Sequence, residues 1–127
     1  SMIIDAGSAI AIDFVNKDCD FEGGVIFPGK QLIIDSLRTL ALLKEAKVSR
    51  NPQIIGRDTS EAIGSGIVFG LSFLVSGYID FFKEQNPRSC IFFTGGGGRE
   101  LQRRLKQGYF IKNLDILGVK AILYGNT

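Results

Sequence analysis

The chain has 127 residues, 45% of them hydrophobic and 22% charged, the size of one ordinary domain and a composition that excludes disordered and fibrous classes. Fifteen Lys and Arg against thirteen Asp and Glu leave a net charge of +2, too small and too interspersed for a nucleic-acid footprint, so no nucleic-acid partner is expected. No histidine is present, which removes His-ligated zinc and any imidazole base supplied by this chain. Cys19 and Cys90 form no C-x-x-C pattern, so neither a disulfide framework nor a redox motif is expected, and a reducing cytoplasm fits.

The opening SMIIDAGSA lacks a basic stretch and a cleavage site, unlike a secreted start. Residues 2–4 read as a short apolar strand ending at Asp5, and residues 9–15 (AIAIDFV) as a second, with Gly7-Ser8 as the tight turn of a hairpin. A third strand is expected over 25–27, closed by Pro28-Gly29. The period then changes, because Ile33, Leu37, Leu40 and Ala41 recur three and four apart and predict a helix over 30–46.

A polar connection holding Pro52 leads to a long helix over 59–83, opened by Asp58 and Glu61 in capping-box spacing and stopped by Asn86-Pro87. Its stretch from Ala62 to Ile79 carries no charge and is at the low edge of what spans a bilayer. Four glycines, three serines and a stripe at Ile63, Ile67, Leu71, Leu74, Val75, Tyr78, Ile79 and Phe82 instead predict a core-facing helix and no membrane. Residues 89–93 (SCIFF) read as a central strand, the TGGGG run as its exit, and residues 99–106 as a third helix. Residues 116–124 read as either a strand or a short helix. No repeat, linker or low-complexity tract marks an internal domain boundary. The β-β-β-α-β-α order, with one further helix after the third strand, resembles a ribonuclease H-like α/β lobe with a mixed sheet, the unit of the sugar-kinase, Hsp70 and actin superfamily.

Three motifs could carry chemistry, each with a plainer reading beside it. Asp5-Ala6-Gly7-Ser8 places a carboxylate, backbone N–H groups and a hydroxyl at a strand end, suited to a cation and a phosphate, or simply to a hairpin turn. Gly95-Gly96 follow a buried strand and precede a helix, where a base or ribose can approach bare backbone, or where a turn needs positive φ. Thr59 opens the long helix, whose dipole end suits an anion, while N-capping accounts equally for Asp58 and Glu61. Gly66 and Gly70, four apart, read as helix packing within or between subunits. Arg99, Arg103 and Lys106 read as a solvated face.

In series, MIIDAGSAIAIDFV, FEGGVIFPG, IGRDTSEAIGSGIVFG, FFTGG and LGVKAI resemble the type III pantothenate kinase family over essentially the whole chain. The resemblance implies transfer of the γ-phosphate of ATP to the 4′-hydroxyl of pantothenate, in coenzyme A synthesis, by a cytoplasmic homodimer using Mg²⁺ and a monovalent cation, K⁺ or NH₄⁺. It implies cation binding by Asp5, ATP contacts by Gly7, Ser8, Gly95 and Gly96, and pantothenate binding by Thr59. The family's amino-terminal lobe, with its phosphate loop and a Gly-x-Asp-Arg motif supplying the general base, has no counterpart in residues 1–127. These therefore resemble a carboxy-terminal lobe, inactive alone. Ala11 and Leu40-Ala41 depart from the family's usual threonine and Thr-Ala-x-Leu-Pro stretch, which leaves a non-catalytic nucleotide-binding or subunit-interaction module as the alternative. An ATPase lobe of the actin or Hsp70 kind would share the fold.

Overall fold

A computed structural model describes residues 1–125. The chain divides into two compact units, one made of Ser1–Ile26 together with the residues from Ser89 onward, the other of Phe27–Arg88. In chain order the second is an insertion into the first, and no shift in composition marks it. Together they hold a five-stranded mixed sheet and four α-helices.

The first unit is built on the sheet. Strands β1 (Met2–Ala6), β2 (Ala9–Val15), β3 (Phe21–Pro28), β4 (Ile91–Thr94) and β5 (Tyr109–Phe110) lie in the order β3-β2-β1-β4-β5. β1 pairs antiparallel with β2 and parallel with β4, and β4 pairs parallel with β5. The register pairs Ala6 with Ile10, Ile4 with Ile12 and Ile91 with Met2. Because side chains alternate across a strand, Met2, Ile4, Ala6, Ile10, Ile12, Ile91 and Phe93 share one face, and all seven are buried. Each fully buried Ile or Phe among them contributes about 1.5–3 kcal/mol. The opposite face carries Asp5, Ala11, Asp13 and Thr94.

Asp5 thus lies inside β1, which runs one residue past the expected end at Asp5, since the pairings Asp5–Ala11 and Ala6–Ile10 extend the ladder to the turn. That turn closes when the Gly7 N–H donates to the Ala9 carbonyl at 3.0 Å. β3 is longer than 25–27. Its edge position lets it tolerate Pro28 as its last residue. β5 was not expected from the sequence, and residues 114–124 form a helix rather than a strand.

Helix α3 (Gly98–Leu105) buries Leu101 and ends where Lys106 turns left-handed, at φ +52°. Helix α4 (Leu114–Tyr124) has no buried residue, and Ile116, Leu117, Val119, Ile122, Leu123 and Tyr124 are exposed. Its first N–H, from Leu114, donates to the buried Thr94 hydroxyl at 3.3 Å.

The second unit is helical. α1 (Lys30–Leu37) is shorter than the expected 30–46. The Thr39 hydroxyl donates to the Ser36 carbonyl at 2.7 Å, and the Leu40 N–H reaches only as far back as Leu37. These local bonds tighten the chain out of the α ladder, and only a 3₁₀ turn at Ala41–Leu43 follows. α2 (Thr59–Gln85) begins where Asp58 accepts the Glu61 N–H at 2.8 Å, while Glu61 reaches back to the Arg57 N–H at 3.0 Å.

Among the described residues, α2 is the one helix long and apolar enough to cross a membrane by length and composition. Its buried positions Ile67, Leu71, Val75, Ile79 and Phe82 recur every three or four residues, the stripe of a core-facing helix, whereas Ile63, Leu74 and Tyr78 are half-buried. Gly66, Gly70 and Gly77 leave open space where a Cβ would sit, so no helix of the described residues packs closely against them.

Candidate functional site

In the sheet unit, Asp5, Gly7, Gly95 and Gly97 converge at the carboxyl ends of β1 and β4, the edge where α/β sheets place ligands. Asp5 pairs with Thr94 across the parallel ladder, so the chain leaving β4 passes directly over the end of β1. The Gly97 N–H donates to the Ala6 carbonyl at 2.8 Å and locks the two together. Gly95 has φ +83°, and a Cβ there would strike the Asp5 carboxylate and lie 2.7 Å from the Ala6 carbonyl oxygen. Glycine is required at this position on both counts. Gly96 is exposed, with nothing within 4 Å of a would-be Cβ, and forms an open ledge. Gly7 and Ser8 are exposed at the hairpin tip. The Gly7 φ is not positive and a Cβ there meets nothing closer than 3.9 Å, so the turn alone does not demand a glycine.

Burial, reinforced by the negative charges of Asp115 and Asp13, pushes the Asp5 carboxyl above the ordinary aspartate range. Asp13 shares the Asp5 face of the sheet, and Asp115 sits in the first turn of α4. The folded chain therefore holds this proton more tightly than the unfolded chain does. The resulting stabilisation is fully present below the unfolded carboxyl's range and is lost as pH rises through the folded value. Asp5→Asn is accordingly expected to raise the thermal midpoint at about pH 7 and leave it unchanged at about pH 3, as melts at the two pH values would read.

Among the described residues no group of three or more His, Cys, Asp or Glu is placed to share a metal ion. A single half-buried carboxylate in a negative surround suits a cation whose remaining ligands are phosphate oxygens and water, the usual coordination of Mg²⁺ at a nucleotide. Asp5 fits that role. It cannot hold a metal by itself.

In the helical unit, Thr59 is exposed in the first turn of α2. It is the one hydroxyl on a groove of about 640 Å³ otherwise lined by apolar side chains and glycines of β3, α1, the 3₁₀ turn and α2, among them Phe27, Ile33, Leu43, Ile63 and Gly66. Asp58 and Glu61 are spent on capping. Their charges make this helix end a poor seat for an anion, so the groove suits a largely apolar molecule with a hydroxyl or amide.

Sequence reasoning missed Asp13 and Asp115 as neighbours of Asp5, because only the register and α4 bring them near. Arg99, Arg103 and Lys106 are exposed, as the sequence implied, but the seating of the Arg99 guanidinium 4.4 Å from the centre of the Phe110 ring was not foreseen. Lys106 belongs to the left-handed end of α3, not to its face. Cys19 and Cys90 are free and exposed.

Comparison with known proteins bears on the whole chain. A profile of the type III pantothenate kinase family matches residues 1–80. A Flavobacterium psychrophilum type III pantothenate kinase is 34% identical over 97% of this chain and 52% of its own length. One from Cytophaga hutchinsonii is 30% identical over 100% of this chain and 55% of its own. One from Sulfurihydrogenibium is 36% identical over 91% and 47%. The chain spans about half the length of the curated relatives it matches. A crystal structure of a Campylobacter jejuni protein, described as a conserved Baf family transcriptional activator, superposes with a TM-score of 0.75 over 99% of this chain and 58% of that one, at 23% identity. The mixed sheet is thus a fold already seen in crystals, and the chain carrying it belongs to the type III pantothenate kinase family.

Proposed function

We propose that residues 1–127 are the carboxy-terminal, ribonuclease H-like lobe of a two-lobe kinase that passes the γ-phosphate of ATP to the 4′-hydroxyl of pantothenate, the first step of coenzyme A synthesis, as a cytoplasmic homodimer. The observation that carries this reading is the meeting of the Asp5 carboxylate with the Gly95-Gly96 ledge at one sheet edge. Asp5 holds the Mg²⁺ or monovalent cation that accompanies the phosphates. The Gly7 N–H is spent on the Ala9 carbonyl, so the turn offers the Ser8 N–H and hydroxyl to phosphate oxygens, and the ledge lets the nucleoside approach bare backbone. The pantoyl end of pantothenate, with its geminal methyl groups, hydroxyls and amide, suits the apolar groove with Thr59 at its rim, while its carboxylate is kept outside, away from Asp58 and Glu61. The general base belongs to the amino-terminal lobe, so this chain alone does not turn over.

The test joins the chain to the amino-terminal half of a relative such as the Flavobacterium psychrophilum kinase and assays ATP-dependent phosphorylation of pantothenate. Thr59→Val in that protein is expected to raise the KM for pantothenate about tenfold with the KM for ATP unchanged, the cost of one lost hydrogen bond. A properly folded two-lobed protein without activity would overturn the kinase reading. One observation favours a second reading, a non-catalytic nucleotide-binding or subunit-interaction module. Ala11, paired with Asp5 on β2, supplies no hydroxyl where the family usually has threonine. Titration calorimetry beside the turnover assay separates the two, since such a module binds nucleotide without turnover.

A further inference from the structure

Arg99 stands in the first turn of α3, with its guanidinium 4.4 Å from the centre of the Phe110 ring. Phe110 is itself fixed. It pairs with Phe93 in β5, and the Gly98 backbone runs so close to its ring that a Cβ there would sit 3.3 Å from Cε2. A planar cation held on an aromatic ring has lost most of its rotamer freedom and turns its second face outward. Arg99 is exposed and lines, with Gly96, Glu100, Arg103 and Arg104, a depression of about 560 Å³ along α3, a volume in the range of small-molecule sites. Glu100 accepts from Arg104 at 3.0 Å, so the one carboxylate in the depression is already paired. The Gly96 end of this depression is the open ledge, whose inner neighbour Gly95 abuts Asp5.

Phe110 shares the Phe93 face of the sheet and Asp5 the opposite one, so the order Asp5, Gly95, Gly96, Arg99 runs from a carboxylate on one face, over the bare backbone of the sheet edge, to a flat cationic surface on the other. A nucleotide has the same order of phosphates, sugar and base. We propose that Arg99, backed by Phe110, stacks on the base of the bound nucleotide, and that it favours purines because the larger ring system covers more of the guanidinium. This inference rests on the reading of the sheet edge as a nucleotide site. It adds the residue that grips the base and the class of base preferred.

The experiment titrates the 127-residue chain calorimetrically, with Mg²⁺ present, against ATP, GTP, UTP and inorganic tripolyphosphate. ATP and GTP are expected to bind alike and more tightly than UTP. Arg99→Ala should weaken both purine nucleotides about tenfold, in line with measured base-stacking losses, and tripolyphosphate less than twofold. Arg99→Lys, which keeps the charge and loses the plane, should behave like Arg99→Ala. Phe110→Leu should weaken ATP by a smaller factor, with its unfolding midpoint measured alongside to show that the fold persists. Wild-type ATP affinity in Arg99→Ala or Arg99→Lys would overturn the proposal, as would an equal loss for tripolyphosphate, which assigns Arg99 to phosphate. ATP binding that is insensitive to Arg99 but lost in Asp5→Ala, with its unfolding midpoint measured alongside, would end this inference and leave the nucleotide-site reading standing. Absence of ATP binding to the wild-type chain would end both.

Discussion

Alanine at Gly95 is expected to cost the chain about 3 kcal/mol of stability or more, visible as a large fall in the urea midpoint with little change in slope. Two independent terms add. The φ of +83° is strained for any residue with a Cβ, and the added methyl would overlap the Asp5 carboxylate and crowd the Ala6 carbonyl. The second term cannot relax locally, because the Gly97 N–H ties the same Ala6 carbonyl to the β4–α3 turn. Displacing Asp5 would also disturb the proposed cation site, so nucleotide affinity should fall together with stability. Gly96→Ala is the control. With nothing near its Cβ it should leave the midpoint almost unmoved, and any loss in nucleotide affinity there reports on the ledge alone.

Asp5→Ala in the two-lobed enzyme is expected to lower kcat/KM by about a hundredfold or more and to flatten the dependence of rate on cation concentration. The same change should not destabilise the fold at neutral pH, because an unfavourable charge beside Asp13 and Asp115 is removed. Loss of activity with retained or increased stability is the pattern of a group kept for function at a cost to the fold. Activity losses that simply track unfolding would contradict the assignment. Rate against Mg²⁺ and K⁺ concentration, together with melts of both proteins, supplies the two readouts.

Much of this was legible in the residues because local signals agreed. In β2 the alternation of AIAIDFV and the Gly7-Ser8 turn point the same way, and the strand occupies the expected residues. At α2 the Asp58–Glu61 spacing and the Asn86-Pro87 stop bracket one continuous helix. The start of α1 was equally plain, but its end was hidden. Leu40 and Ala41 continue the helical period, yet the Thr39–Ser36 hydrogen bond and a switch to shorter backbone bonds close the helix at Leu37. β5, only two residues long, is too short to show alternation and exists because β4 offers an edge. At the site, the Gly95 conformation could be suspected from four consecutive glycines. The charges of Asp13 and Asp115 around Asp5, and the seating of Arg99 on Phe110, depend on strand register and on β5, which no local pattern encodes.

The parallel pairing of β1 with β4 also sets when the site can exist. Residue 5 meets its ladder partner at residue 94, and the whole helical insertion is synthesised between them. A nascent chain halted before β4 leaves the ribosome would own the carboxylate and the hairpin tip but no ledge. Loop closure over that span weighs on the folding rate more than on the final stability. The proposed binding edge is therefore assembled in the late stages of folding, once both halves of a split unit have emerged.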